Sequence, residues 1–159
     1  MSLEHFFRIG ETITLGSHTF TAEEIKAFAS KYDPQRFHVD EAQAEKSVFG
    51  RLCASGWHTC AVWMKLNLAW REDLDPRPWV GPGDAPQFGP SPGISGLKWL
   101  RPVYAGDTIS YSSTLLEKRD MRTRPQWGLL IHGNEGVNQD GVTVFSFTGK
   151  VLVARRPAA

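Results

Sequence analysis

The chain has 159 residues, with 18 lysines and arginines against 17 aspartates and glutamates, and its formal net charge is +1. This length suits one domain with its own core, so we predict a single domain over residues 1–159. Because charges of both signs are interspersed, nothing in the composition favours nucleic acid as a partner. The chain begins without the pattern of a secretion signal, and no apolar segment could cross a membrane, which predicts a cytoplasmic protein.

The first third of the chain predicts one strand followed by helices. The loosely alternating segment Thr12 to Phe20 indicates a first strand. Thr21 and Glu24 then have the spacing of a capping box, which predicts that a helix begins there and runs over residues 22–32. A short polar helix is expected over residues 40–46. The longer helix is supported by apolar residues at helical spacing, namely Ile25, Phe28, Ala29 and Tyr32.

Asp33 and His38 follow the first predicted helix and lie five residues apart. Pro34 pushes Asp33 out of the helical region, because a residue that precedes proline favours an extended conformation. The two side chains therefore bracket a short irregular segment next to a rigid helix, where catalytic groups concentrate. A carboxylate and an imidazole this close together can move a proton to or from a water molecule. A structural histidine is the alternative interpretation.

A third, longer helix is predicted over residues 56–71. Ser55 is a suitable N-cap, and Gly56 opens the helix. The segment is apolar on most faces, although Lys65 and Asn67 interrupt it, and a helix that is apolar all round is expected to be buried. Its first backbone N–H groups have no partner inside the helix, and they suit a polarised carbonyl or an oxyanion.

The two cysteines, Cys53 and Cys60, lie in apolar surroundings. We predict two buried free thiols in a reducing compartment rather than a disulfide, because the helix start between them does not favour bridge geometry. His38 and Asp40 are possible metal ligands, but no third ligand has plausible spacing, so no metal site is predicted.

Proline and glycine dominate Pro76 to Gly93, which predicts a long irregular segment, either a functional loop or a plain surface connection. Four half-buried antiparallel strands are expected after it, with turns over residues 118–125 and 138–141. The fold class is therefore α+β, with an antiparallel sheet wrapped around one long apolar helix. The side chains that define these strands are Leu97 and Trp99; Ile109, Tyr111 and Leu115; Trp127, Leu129 and Ile131; and Phe145, Phe147, Val151 and Val153.

Nearly the whole chain resembles the MaoC-like acyl dehydratases, which include the (R)-specific enoyl-CoA hydratases. The run from Asp33 through His38 to Asp40 carries the resemblance, together with Phe49-Gly50, residues 54–57 and residues 101–107. The resemblance implies a hot-dog fold, in which the sheet curls around a central helix.

The resemblance also implies roles for individual residues. Asp33 would accept a proton as water attacks the β-carbon of a trans-2-enoyl thioester, and His38 would hold that water and help to protonate the α-carbon. The N–H of Gly56 would bind the thioester oxygen. Ser55 would contact the water or cap the helix, and we favour the cap. No cofactor is expected, because coenzyme A enters as part of the substrate.

Several alternatives remain at this point. A hot-dog thioesterase usually has a carboxylate on or beside its central helix, and residues 56–71 contain no Asp or Glu. A non-catalytic acyl-thioester-binding subunit would lack the Asp33–His38 pair. An unrelated binding module is the third alternative. The basic cluster at residues 118–124 is either a contact for coenzyme A phosphates or a solvated turn, and we favour the turn.

The expected partners are an acyl-CoA or acyl-carrier-protein thioester and a second copy of the chain. One hot-dog unit leaves an open edge strand and an incompletely covered helix, and exposed edges are normally paired or blocked. We therefore predict a homodimer, or a higher even oligomer, with the acyl pocket near the subunit boundary. His58 is expected to be a core or interface residue.

Overall fold

A computed structural model describes residues 7–71 and 87–154 of the chain. A first strand is followed by three helices, a long helix and four further strands. This order agrees with the predicted α+β class. The elements are β1 (Thr12–Thr19), α1 (Ala22–Tyr32), α2 (Arg36–Val39), α3 (Glu41–Glu45), α4 (Gly56–Arg71), β2 (Gly93–Trp99), β3 (Thr108–Asp120), β4 (Trp127–Val137) and β5 (Thr143–Ala154).

The five strands form one antiparallel sheet in the order β1-β3-β4-β5-β2. The long helix α4 packs on this sheet, and Tyr111 of β3 holds it there, because its hydroxyl donates to the backbone oxygen of Thr59 over 3.1 Å. Gly16 brings β1 close to the helix: its φ is +135°, and a Cβ there would lie 3.3 Å from Leu66.

The core fills the space between the sheet and the helices. Its largest fully buried side chains include Phe20, Ile25, Tyr111 and Phe145. Burying one such apolar side chain contributes roughly 1.5–3 kcal/mol, so this layer fixes where α4 begins relative to the sheet.

The predicted helix starts in the first third of the chain are confirmed. Thr21 and Glu24 form the full capping box: Thr21 Oγ1 accepts from the Glu24 N–H over 3.2 Å, and Glu24 Oε2 accepts from the Thr21 N–H over 3.3 Å. Asp40 caps α3 by accepting from the N–H of Gln43 over 2.8 Å. The predicted turn at residues 138–141 is also present, with Gly141 at a φ of +75°.

In a single chain α4 is not buried all round, which agrees with the prediction that one hot-dog unit leaves its helix incompletely covered. Trp57, Met64 and Leu68 are 56%, 45% and 40% exposed, and they form a stripe along one side of the helix. The sheet covers only the opposite side, which carries Val62 and Trp70 among its buried residues. One apolar face of the helix is therefore left open in a single chain.

Two predictions about the strands need correction. In β4, Trp127, Leu129 and Ile131 share one parity, but the face that the helix covers carries Leu130, His132, Asn134 and Gly136. The polar residues of this strand point inward, and the alternation of apolar residues did not reveal it. In addition, β3 continues to Asp120, so the predicted turn begins later than residue 118.

Cys53 and Cys60 are free, as predicted, but only Cys53 is fully buried. Of the proline- and glycine-rich segment, residues 76–86 lie outside the described residues. In the described ranges, no helix has the length and hydropathy needed to span a membrane.

Candidate active site

Asp33 terminates α1, and a short helix then presents His38. The Asp33 N–H closes the last turn of α1 by donating to the oxygen of Ala29 over 2.8 Å. Pro34 follows, and the backbone of Asp33 is non-helical, with φ −155° and ψ 67°. The predicted irregular segment is only partly irregular, because His38 lies in α2. The hydrogen bonds of that single turn, which the sequence pattern did not indicate, fix the direction of its side chain.

The Asp33 carboxylate accepts two side-chain hydrogen bonds. Ser55 Oγ donates to Oδ2 over 2.7 Å, and Gln35 Nε2 donates to Oδ1 over 2.8 Å. Partial burial alone would raise the pKa of Asp33, but these two donors and the charge of a protonated His38 lower it below its usual value. The side chain is therefore an ionised acceptor at neutral pH.

The His38 imidazole is held from both sides, and its residue is only 6% exposed. Its Nδ1 lies 2.6 Å from the backbone oxygen of Cys53, and a carbonyl can only accept, so Nδ1 carries the proton. Its Nε2 faces Asp33 Oδ2 at 3.4 Å. In the neutral ring, Nε2 is then a hydrogen-bond acceptor turned toward the carboxylate.

Ser55 caps α4, as favoured, and it also makes a contact with Asp33 that the sequence did not predict. Its hydroxyl donates to Asp33 and also accepts from the N–H of Trp57 over 3.3 Å. Its backbone oxygen accepts from the N–H groups of His58 and Thr59. The preference for a cap alone was too narrow, because the serine also fixes the carboxylate.

Gly56 begins α4 beside this cluster, and its N–H belongs to the first turn, whose donors have no partner within the helix. The indole of Trp99 lies directly against this residue: a Cβ built on Gly56 would overlap the ring. Trp99 in turn meets Trp57 edge to face, with ring centroids 5.1 Å apart. Glycine is required here by close packing.

These groups line a cavity of about 510 Å³ at the start of α4. Asp33, His38 and Gly56 all reach it, so the structure brings the three predicted site residues together. Ser55 is fully buried behind the carboxylate. The remaining lining residues are Gln35, Phe37, Phe49, Cys53, Ala54, Trp57, Thr59, Trp99, Leu100, Arg101, Pro102, Val103 and Val144.

Sequence reasoning missed several of these residues. Gln35 stands two residues after Asp33, and an amide so near a carboxylate was the available signal. The oxygen of Cys53 and the ring of Trp99 could not be found, because long-range pairing brings them to the site. Burial raises the pKa of the Cys53 thiol to about 11, so this cysteine is not a nucleophile at neutral pH. Across the described ranges, His, Cys, Asp and Glu form no cluster that could hold a metal ion.

Comparison with known proteins identifies the family of the chain. Residues 6–77 match the family described as MaoC like domain. The crystal structure of the MaoC-like dehydratase from Rhodospirillum rubrum is 34% identical, with a TM-score of 0.78, and the match covers 99% of each chain. The chain belongs to the MaoC-like dehydratase family.

Two further matches extend the comparison. The uncharacterized protein YdeM of Bacillus subtilis is 30% identical over 154 residues, which cover 94% of this chain and 96% of that protein. The (R)-hydratase from A. caviae involved in PHA biosynthesis is 21% identical, with a TM-score of 0.65, and the match covers 91% of this chain and 95% of that one. The second likeness shows the fold, and the predicted hot-dog architecture is confirmed.

Proposed function

We propose that this protein is a hydro-lyase that adds water to a trans-2-enoyl thioester, giving an (R)-3-hydroxyacyl thioester, and catalyses the reverse reaction. The observation that carries the proposal is the position of the Asp33 carboxylate and the His38 imidazole, with Oδ2 and Nε2 3.4 Å apart, in a cavity that also contains the start of a helix. Family membership supports acyl-thioester hydration in general. The individual roles rest on the contacts of Asp33, His38 and Gly56.

Water is the natural bridge between Asp33 Oδ2 and His38 Nε2, because both atoms accept hydrogen bonds. A water that donates one hydrogen to each has its lone pairs free to attack the β-carbon. As the C–O bond forms, one proton passes to Asp33 and the C=C electron pair moves into the enolate. A proton then reaches the α-carbon through the Asp33–His38 pair, so one water is consumed and both side chains return to their starting state.

The enolate that forms needs a hydrogen-bond donor at its oxygen. The Gly56 N–H supplies one at the positive end of the α4 dipole. Removing one preorganised donor of this kind typically costs about 3–4 kcal/mol of transition-state stabilisation.

The alternatives give different products. A thioesterase would use the same carboxylate to direct water to the thioester carbon, and a non-catalytic subunit would bind the thioester unchanged. We favour hydration because two acceptors aim at one water and the site keeps both members of the acid–base pair.

Crotonyl-CoA separates these functions in one assay. A hydratase removes the enoyl absorbance without releasing free coenzyme A, whereas a thioesterase releases free coenzyme A. Binding without either signal would indicate the non-catalytic subunit. The same assay with crotonyl thioesters of acyl-carrier protein and of coenzyme A distinguishes the two carriers. Arg101, which lines the cavity, is our candidate for contact with the carrier phosphates.

We further propose that the active form is a homodimer. The open face of α4, with Trp57, Met64 and Leu68, lies beside strand β2, which pairs only with β5 in the described part of the chain. An apolar stripe beside an unpaired strand edge favours association with a second copy, in which two β2 edges pair and two helices cover each other.

Sedimentation at micromolar protein tests this assembly. A species of twice the 17.8 kDa chain mass is expected for the wild type. Met64→Lys places a charge in the open stripe and should shift the protein to monomer, whereas Lys46→Met, on the α3 side of the molecule, should not. A wild type that sediments only as a monomer contradicts the proposal.

A further inference from the structure

The acid–base cavity at the start of α4 has an open end and a blind end. Leu100 and Arg101 lie at the open end, where both side chains are exposed. Thr59, Val103 and Val144 lie at the inner end, and each is no more than 3% exposed. A carrier such as coenzyme A is too large for the cavity and must remain at the open end. The acyl group of a bound thioester therefore points to the inner end.

The inner end is backed by the core of the molecule. Thr59 is fixed by two hydrogen bonds: its Oγ1 donates to the backbone oxygen of Gly56 over 2.6 Å, and its backbone oxygen accepts from the Tyr111 hydroxyl over 3.1 Å. Tyr111 meets Phe145 edge to face, and both rings are fully buried. Because a close-packed core resists added volume, this wall cannot retreat to admit a longer chain.

The spacing of two residues on α4 sets the depth of the acyl site. Gly56 carries the proposed donor to the thioester oxygen, and Thr59 lies three residues further along the helix. Three residues correspond to about 4.5 Å of helix rise, which equals about three carbon–carbon bonds. A crotonyl group has three carbons beyond its carbonyl carbon, so it fills the space between the two residues.

Trp99 closes the cavity at its side. A Cβ built on Gly56 would overlap the indole atoms Cδ2, Cε2 and Nε1, and the indole also donates a hydrogen bond to the thiol of Cys60. The ring therefore lies along the first turn of α4, from Gly56 to Cys60. Trp99 itself is 47% exposed. It is thus a wall of the acyl site that can be shortened without emptying the core.

We propose that the acyl site takes short 2-enoyl groups, of about four carbons, and that Trp99 sets this limit. The inference rests on the proposed hydratase function and names its substrate class. A longer chain meets either the core behind Thr59 or the indole of Trp99. Removal of the indole opens a path along the side of α4, whereas the core wall stays closed.

Hydration of trans-2-enoyl-CoA thioesters with four, six and eight carbons tests the proposal on the protein in its native oligomeric state. In the wild type, kcat/KM should fall by at least about 100-fold from the four-carbon to the eight-carbon thioester. In Trp99→Ala this ratio should narrow to about tenfold or less, because the longer chain gains space. Trp99→Phe should give an intermediate ratio.

Trp127→Ala is the matched control. It makes the same change at a half-buried tryptophan of β4 that does not line the cavity, and it should keep the wild-type ratio. Thermal midpoints and sedimentation establish that each variant is folded and assembled like the wild type.

Calorimetric titration with butyryl-CoA and octanoyl-CoA measures the length limit without turnover, because saturated thioesters cannot be hydrated. The wild type should bind butyryl-CoA about tenfold more tightly than octanoyl-CoA, and Trp99→Ala should lose this preference. Free coenzyme A is assayed alongside to detect hydrolysis.

The outcomes separate this inference from the proposed function. A wild type that hydrates the eight-carbon thioester as well as the four-carbon one overturns the inference. So does a Trp99→Ala variant that slows all three lengths by one factor, because the indole would then act on the carbonyl site or on the fold. Absence of hydration at every length refutes the proposed function instead. In that case a calorimetric preference for butyryl-CoA that Trp99→Ala removes supports the length limit, and equal binding of the two thioesters refutes it as well.

Discussion

The two ends of α4 differ in how their polar groups are satisfied. At its start, Asp33 has two side-chain donors and a facing imidazole, and His38 has a backbone acceptor on its other nitrogen. At its end lies a buried polar layer, formed by Asn67, Ser113, His132 and Asn134. This layer includes the amide oxygen of Asn134, which is a hydrogen-bond acceptor. The first arrangement is complete before any ligand arrives and suits proton transfer. The second arrangement is incomplete, because this buried Asn134 oxygen is left without a partner among the described residues.

The two ends also differ in how the chain builds them. Residues 33–59 supply most of the catalytic cluster, so short helices and caps determine its geometry. The polar layer at the end of the helix combines side chains from α4, β3 and β4, and it exists only when the sheet has formed. Changes at the start of the helix should therefore act on turnover, and changes at its end should act on stability.

The largest effect is expected from the acid–base pair. Asp33→Asn keeps the shape but removes the charge, and His38→Ala removes the second water acceptor. Each should lower turnover of a good enoyl thioester by about 100- to 10,000-fold. Either variant with near wild-type hydration would refute the assignment, provided that circular dichroism shows both variants to be folded.

Gly56→Val should have the next largest effect on turnover. Because Gly56 contacts Trp99, this variant should also lose stability. The new side chain would overlap the indole, and such overpacking costs about 1–3 kcal/mol of stability. Turnover should fall about 100- to 1,000-fold because the thioester carbonyl is kept from the N–H.

Trp99→Ala separates the two contributions in a double-mutant cycle. In Gly56→Val/Trp99→Ala the thermal midpoint should recover relative to the additive expectation, because the overlap is gone. Turnover should stay low. If the double variant turns over like Trp99→Ala alone, the start of α4 is not the carbonyl site.

Ser55→Ala should lower both stability and turnover, and its effect on turnover should be smaller than that of Gly56→Val. Loss of the cap lowers stability by about 1 kcal/mol. Loss of the donor to Asp33 should lower turnover about tenfold. Because that hydrogen bond lowers the pKa of Asp33, its removal raises the pKa, and the acid limb of the pH–rate profile should move to higher pH. An unchanged profile would restrict Ser55 to capping, and Ser55→Thr should keep most of both functions.

The smallest effect is expected at His58, which faces away from the catalytic cluster. It stacks on Phe28 at 4.5 Å and meets Phe20 edge to face at 5.0 Å. Burial, with a smaller contribution from the charge of His18, lowers the pKa of His58 to about 4, although Glu24 opposes this shift.

The folded state therefore prefers neutral His58. Its stabilising contribution is complete above the usual histidine pKa near 6.5 and is lost as the pH falls toward 4. Over that window the wild type should lose roughly 2 kcal/mol, or a few degrees in thermal midpoint, and His58→Phe should lose less. Equal acid sensitivity of the two proteins would show that other groups control it.

Local signals in the sequence predicted much of the catalytic end. The capping box, the proline after Asp33 and the serine–glycine start of α4 each act over a few residues, so α1 and α4 follow from the sequence. The proximity of Asp33 to the start of α4 was implied only by the family resemblance. Helix α2 is a single turn, which is too short to show a helical period of apolar residues in the sequence. Trp99 reaches Gly56 only through the pairing of β2 with β5.

The polar layer beneath the end of α4 was less predictable from the sequence, for a physical reason. In β4 the apolar side chains Leu129 and Ile131 lie on one parity, while His132 and Asn134 occupy the covered face. A hydrophobic pattern assigns the wrong face to a strand whose inward residues are polar. The open stripe of α4 was expected only from the family resemblance, because an apolar helix looks the same in sequence whether its own sheet or a second chain covers it.

The Ser55 hydroxyl connects the first turn of α4 to the Asp33 carboxylate, and this connection makes catalysis sensitive to local fraying. Helix ends open at far lower free energy than a central sheet does. Mild heat or denaturant that loosens this turn would release the carboxylate and abolish the proposed turnover while β3, β4 and β5 stay paired. Loss of activity and loss of sheet structure would then be two separate transitions, and rapid recovery on cooling would characterise the first.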